Sequence, residues 1–144
     1  MISRLGSAGN QTSFMGVSKT IRELSGLKVK IDEVIYMPTL DAPADRPHPF
    51  VYFISIHNGS EEKVVIRGRK WVVREDAGET TVVEGAGVVG QTPEILPGKD
   101  FSYNSYHVAR GNSFAEGAFF AETASGERVF ARIPGFRLEV PDWA

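Results

Sequence analysis

From Leu27 onward the chain reads in twos. Leu27, Val29 and Ile31 alternate with Lys28, Lys30 and Asp32, the pattern of a half-buried strand that continues toward Met37. A loop carrying Pro38, Pro43, Pro47 and Pro49 follows, too rich in proline for helix or sheet interior. Phe50, Tyr52, Ile54 and Ile56 then share one face of a strand running to His57, and Asn58-Gly59 ends it with a strong hairpin signal. The next strand, Lys63 to about Arg74, changes phase in its middle. Val64 and Ile66 have one parity, Trp71 and Val73 the other, and Gly68 stands between them. A bulge at Gly68 would return all four apolar side chains to one face.

Further strands are predicted over Thr80 to Val83, Phe101 to Val108, Gly117 to Thr123, Arg128 to Ile133 and Phe136 to Val140. Turns at Asp76 to Glu79, Pro97-Gly98 and Ser125-Gly126 separate them, with a glycine loop from Gly85 to Gly90. The one helix expected is short, Lys19 to Leu24, with Ser18 as its N-cap and Gly26 as its stop. About seven strands spaced at turns every 8–12 residues or so predict an all-β fold, an antiparallel immunoglobulin-like sandwich. It would occupy residues 27–141, after a flexible leader over 1–26 and before a tail at 142–144.

Composition narrows the function more than the fold. At 144 residues the chain suits one domain, and 42% hydrophobic with 24% charged residues is globular rather than disordered. A net charge of −2 gives no electrostatic reason to expect nucleic acid or an anionic membrane as partner. The chain has no cysteine, so it has no disulfide, thiolate nucleophile or thiolate metal site, which agrees with a cytoplasmic location. No apolar run approaches the ~20 residues that span a bilayer. Met1 to Arg22 holds Arg4, Lys19 and Arg22 with no acid, a composition with a faint likeness to a transit peptide. Gly6, Asn10 and Gln11 interrupt any secretory h-region.

Gly85, Gly87 and Gly90 match the Gly-x-Gly-x-x-Gly string of dinucleotide sites. That chemistry needs a helix N-terminus directly after the glycines to meet a pyrophosphate. Pro93 and Pro97 stand where the helix would run, so neither NAD nor FAD is expected, and no cofactor is. What the loop retains is a set of backbone N–H groups that could nest a phosphate or pyrophosphate, with Arg67 or Arg69 beside it. Arg67, Arg69, Lys70 and Arg74 make the densest basic cluster; simple alternation puts Arg67 and Arg69 on one face unless Gly68 bulges. His48, His57 and His107 lack the spacing of a metal or general-base motif, and there is no nucleophile elbow. No catalytic or metal-ligating residue is assigned. Trp71 reads as a core anchor, and Trp143 as exposed or packed on the tail.

The ordered series Arg67-Gly68-Arg69-Lys70-Trp71, Glu84 through Pro93, Leu96 through Tyr103 and Ile133 through Pro141 resembles the ApaG domain. The resemblance covers about Leu27 to Pro141. It implies a fibronectin-III-like sandwich, a link to magnesium and cobalt homeostasis in bacteria, and, from related domains in F-box proteins and a polymerase-delta-interacting protein, a protein partner. It supplies no catalytic machinery. Tyr103-Asn104-Ser105-Tyr106 departs from the family's common Tyr-Thr-Ser-Gly, and Val108 to Ser113 departs from its following loop. Residues and resemblance together point to a non-enzymatic binding module for a protein or a small anionic ligand. The alternative is a phosphate-ester regulator or hydrolase whose glycine loop holds phosphate through Gly85, Gly87, Gly90, Arg67 and Arg69.

Overall fold

The computed structural model describes residues 20–144 and has no helix among them. Nine strands run through the described residues in chain order: β1 Arg22–Glu23, β2 Leu27–Tyr36, β3 His48–Asn58, β4 Val64–Glu75, β5 Thr80–Ala86, β6 Glu94–Ile95, β7 Asp100–Ala109, β8 Ser113–Thr123 and β9 Arg128–Leu138. They form a six-stranded sheet in the order β1-β9-β8-β4-β5, with β6 also on β4, and a three-stranded sheet in the order β2-β3-β7.

The two sheets bury one core between them. Phe50, Tyr52, Ile54 and Ile56 face it from β3, Val64, Ile66, Trp71 and Val73 from β4, and Ala115, Phe119 and Ala121 from β8. Burying each of the larger aliphatic or aromatic side chains contributes about 2 kcal/mol. The phase change in β4 is resolved by a bulge: the β4–β8 register slips between Ile66 and Gly68, leaving Arg67 as the extra residue. All four apolar side chains of β4 therefore reach the core, as their parity required.

Two features differ from the sequence expectation. The segment given as a helix ends instead as β1, which pairs in parallel with β9 at Val129 and Phe130, so the sandwich is not purely antiparallel. Leu24 N donates to Phe130 O at 3.0 Å and the Arg22 guanidinium meets Glu127. Six residues are too few to nucleate a stable helix alone, whereas the side of β9 supplies ready hydrogen-bond partners. Ser18 and Lys19 lie outside the described residues. The two strands expected on either side of Pro134 are one, β9, because the β8–β9 register shifts between Ala115 and Gly117. Pro134, which has no N–H to give the ladder, is accommodated at that irregularity.

At Gly117 there is no room for a side chain between β8 and β4. A Cβ placed there would lie 2.1 Å from Lys70 O, a backbone atom that cannot swing aside. Gly117→Ala is expected to lower stability by about 2 kcal/mol or more in urea titrations, as overpacking does. Gly111→Ala, where nothing lies within 4 Å of the added carbon, is the matched control and should stay within about 0.5 kcal/mol.

Candidate binding site at the open side of the sandwich

The glycine loop closes on itself. Val88 N donates to Gln91 O at 2.7 Å and Gln91 N to Val88 O at 2.9 Å, a hairpin of two residues. Val89 (φ 42°) and Gly90 (φ 81°) are both left-handed, as a primed turn requires. Val89 is β-branched, and holding it there costs about 1–3 kcal/mol. The buried Val88 side chain anchors the hairpin to the core. Gly87 sits at φ 66° with its N–H on Arg67 O at 2.7 Å, and a Cβ there would fall 2.3 Å from Gln91 O. The amides of Gly87 and Val88, two donors of the expected nest, thus bond within the chain.

Arg69 braces the loop from inside. Its Nη1 donates to Ala86 O at 3.0 Å and to Gly87 O at 3.1 Å, and the guanidinium lies directly over Gly85, its cross-strand neighbour on β5. A Cβ on Gly85 would be 2.8 Å from Nη1, so glycine makes room for the cation. The bulge sends Arg67 the other way. It pairs with Glu122 at 3.2 Å on the outer face and lines a hollow of about 440 Å³ with Ile21, Phe120 and Arg128. The two arginines are therefore not brought together. The rest of the basic cluster is also on the outer face, with Lys70 on Glu84 at 3.5 Å and Arg74 on Glu116.

On its inner side Arg69 belongs to a group the sequence reading did not assemble. β5 and β7 are the edges of their sheets, and Val83, opposite Trp71 on β5, is 39% exposed. From the other sheet β7 turns Tyr103, Ser105 and His107 inward, in register with Ile54, Tyr52 and Phe50 of β3. The His107 ring lies 4.7 Å from Trp71 and 4.9 Å from Tyr52, and Tyr103 meets Phe119 at 6.2 Å and Tyr52 at 6.4 Å. Three polar atoms in this cluster are buried without a hydrogen-bond partner: Trp71 Nε1, Tyr103 Oη and His107 Nε2. Buried polar groups are nearly always satisfied, so three together are unusual. Burial pushes His107 down to about 4 and both the Tyr52 and Tyr103 phenols up, with the charge of Arg69 opposing the latter two. At neutral pH the cluster holds neutral donors beside one cation.

The other histidines are placed elsewhere. His48 Nδ1 bonds Tyr36 Oη at 2.9 Å, and His57 Nδ1 lies 2.5 Å from Asp100. Among the described residues no group of three histidine, aspartate or glutamate side chains is placed to hold a metal ion. Trp143 is 73% exposed, with its ring edge on Tyr36.

The model of the ApaG domain matches residues 38–123. The chain belongs to the ApaG family. Protein ApaG of Shewanella frigidimarina is 38% identical over 118 residues, which span 81% of this chain and 93% of that protein. Protein ApaG of a Methylobacterium species is 39% identical over 101 residues, 69% of this chain and 78% of the relative. Among solved structures, the X-ray structure of a Northeast Structural Genomics Consortium target superposes with a TM-score of 0.75 at 31% identity, covering 83% of this chain and 91% of that one. The crystal structure of the ApaA protein from Bordetella pertussis, 22% identical, shares the fold at a TM-score of 0.70 over 85% of this chain and 98% of its own. The ApaG match encloses β3 to β8, and with them the glycine loop, both arginines and the whole inner side of β7.

Two stability measurements follow from this geometry. Arg69→Ala removes a charged donor from two carbonyls and should cost about 2 kcal/mol in denaturant titration, while Arg67→Ala, at an exposed pair, should stay within about 0.5 kcal/mol. Equal effects would mean the loop does not rely on its inner brace. The second concerns acid. His107 takes a proton near 6.5 in the unfolded chain and near 4 in the folded one, so the unfolded state binds more protons between these values. Stability is then full above about pH 6.5 and declines as pH falls through the window to about 4, by about 3 kcal/mol. His107→Gln should flatten that slope relative to the parent protein.

Proposed function

We propose that this ApaG-domain protein is a non-enzymatic binding module that takes an extended peptide segment as an added strand along β7. The observation that carries the reading is the contrast between the two edges of the three-stranded sheet. β2 is guarded: Lys28, Lys30, Asp32 and Glu33 line it, and its register with β3 breaks between Ile31 and Glu33. Charge and bulges are the usual devices that stop a stranger from pairing with an edge. β7 is ten residues long, with no lysine, arginine or proline, and its register with β3 is unbroken from Asp100 to Ala109. Asp100, its only acid, is paired with His57. A long straight edge of this kind offers main-chain donors and acceptors in alternation, the recognition mode of strand-addition domains. Exposed Tyr106 on β7 adds apolar contact beside it.

The phosphate reading of the glycine loop has weaker support. The loop amides of Gly87 and Val88 bond inside the chain, and Arg67 turns to the outer face.

Random twelve-residue peptides selected on the purified protein test the proposal. Bound peptides are expected to slow hydrogen exchange at every second amide between Phe101 and Ala109, those not already bonded to β3. Protection confined to β2 or to the glycine loop, or a library that yields no binder, would overturn it.

A further inference from the structure

We infer that the hollow on the outer face of the six-stranded sheet, between Arg67 of β4 and Arg128 of β9, is a binding site for a small aromatic carboxylate. It lies on the sheet opposite the one that carries β7, so it fills or stays empty independently of any strand added there.

Strand register brings the lining to one place. Phe120 of β8 stands between Gly68 of β4 and Phe130 of β9. Glu122, two residues on and on the same face, stands opposite Arg128 of β9. The bulge delivers Arg67 to this face, where its Nε and Nη2 lie 3.3 and 3.2 Å from the same oxygen of Glu122. Glycine at position 68 leaves the Phe120 ring room to lean over β4, since a Cβ there would be 3.8 Å from Phe120 Cδ2. Ile21 and Ala121 complete the walls of a hollow of about 440 Å³, inside the range of about 300–1,000 Å³ that small-molecule pockets occupy.

The chemistry of the lining selects the ligand. Arg67 places two donors on one acid, and Arg128 forms no ion pair or hydrogen bond among the described residues. Two guanidinium groups thus line the hollow with a single carboxylate. The surplus is one positive charge, which a monoanion balances and a phosphate dianion overshoots. Arg128 is exposed, so its planar fork can take both oxygens of a carboxylate at once. The half-buried Phe120 ring and Ile21 make the rest of the wall apolar and partly aromatic. A second ring packs edge-on or offset against such a surface, with a gain beyond the area it buries. Acid and ring together describe an arene carboxylate or an arylacetate.

Titration of the ¹⁵N-labelled full chain with benzoate, phenylacetate and naphthoate tests the assignment. The amides of Phe120 to Glu122 and of Arg128 to Phe130 should shift together and saturably, while those of β7 stay in place. Benzamide lacks the charge, acetate the ring and inorganic phosphate both ring and carboxylate, so none should saturate these amides at the same concentrations. Arg128→Gln is expected to weaken naphthoate binding about tenfold, and Phe120→Leu about fivefold. Arg132→Gln, on the same strand and face but outside the hollow, is the control and should leave the affinity unchanged. If Phe120→Leu does not fold, Arg128→Gln, at an exposed position, decides the matter. Lack of a saturable shift with all three acids, shifts centred on another face, or equal binding of benzamide would overturn the site. So would an Arg128→Gln variant that binds like the parent, or one that loses no more than Arg132→Gln does.

Discussion

Between Ile66 and Gly68 the central strand holds one residue more than the strand beside it, and that surplus decides which side chains meet the core. Without it, Val64 and Ile66 could not share a face with Trp71 and Val73, because a strand alternates strictly and a slip of one residue exchanges its faces. The bulge keeps four apolar side chains buried, and its electrostatic effect comes with the same shift. Arg67, at the extra position, turns out to Glu122. Arg69, two residues on, turns in with Trp71 and sits over Gly85. A cation at the rim of an aromatic interior follows from the requirement to bury valine and isoleucine.

That inward cation explains the glycine string better than any ligand does. Gly85 lacks a side chain because the guanidinium occupies the space, Gly87 because Gln91 O does, and Gly90 because the turn needs a positive φ. Three separate local constraints reproduce a motif that elsewhere wraps a pyrophosphate. The loop here wraps one of its own side chains, and the strain held in Val89 is offset by the buried Val88 beside it and by two charge-assisted hydrogen bonds from Arg69.

Much of this was legible in the order of residues. The alternation of β2 and β3, the phase break at Gly68 and the absence of a helix after Gly90 all follow from local pattern, and the structure carries them; Asn58-Gly59, which has the sequence of a hairpin turn, instead leads from β3 across to β4 in the other sheet. What local pattern could not supply was pairing across long separations. β1 becomes a strand only because β9, more than a hundred residues later, lies beside it. The destination of Arg69 hinged on which residue was the extra one, and neighbouring positions at a bulge look alike in sequence. His107 and Tyr103 read as ordinary members of a strand. Their depth is set by Trp71 and Phe119, which reach them from the opposite sheet.

The unequal edges of the three-stranded sheet also govern how copies of this chain can meet. If β7 of one molecule were to lie antiparallel against β7 of another, the pair would be related by a two-fold axis and both open edges would be used at once. The sheet would then extend through six strands and end on either side at β2, whose charges and broken register refuse a further neighbour. Self-association through this sheet is therefore self-limiting. It closes at two copies, and the route by which an open edge grows into a fibre is shut by the strand that lies farthest from it.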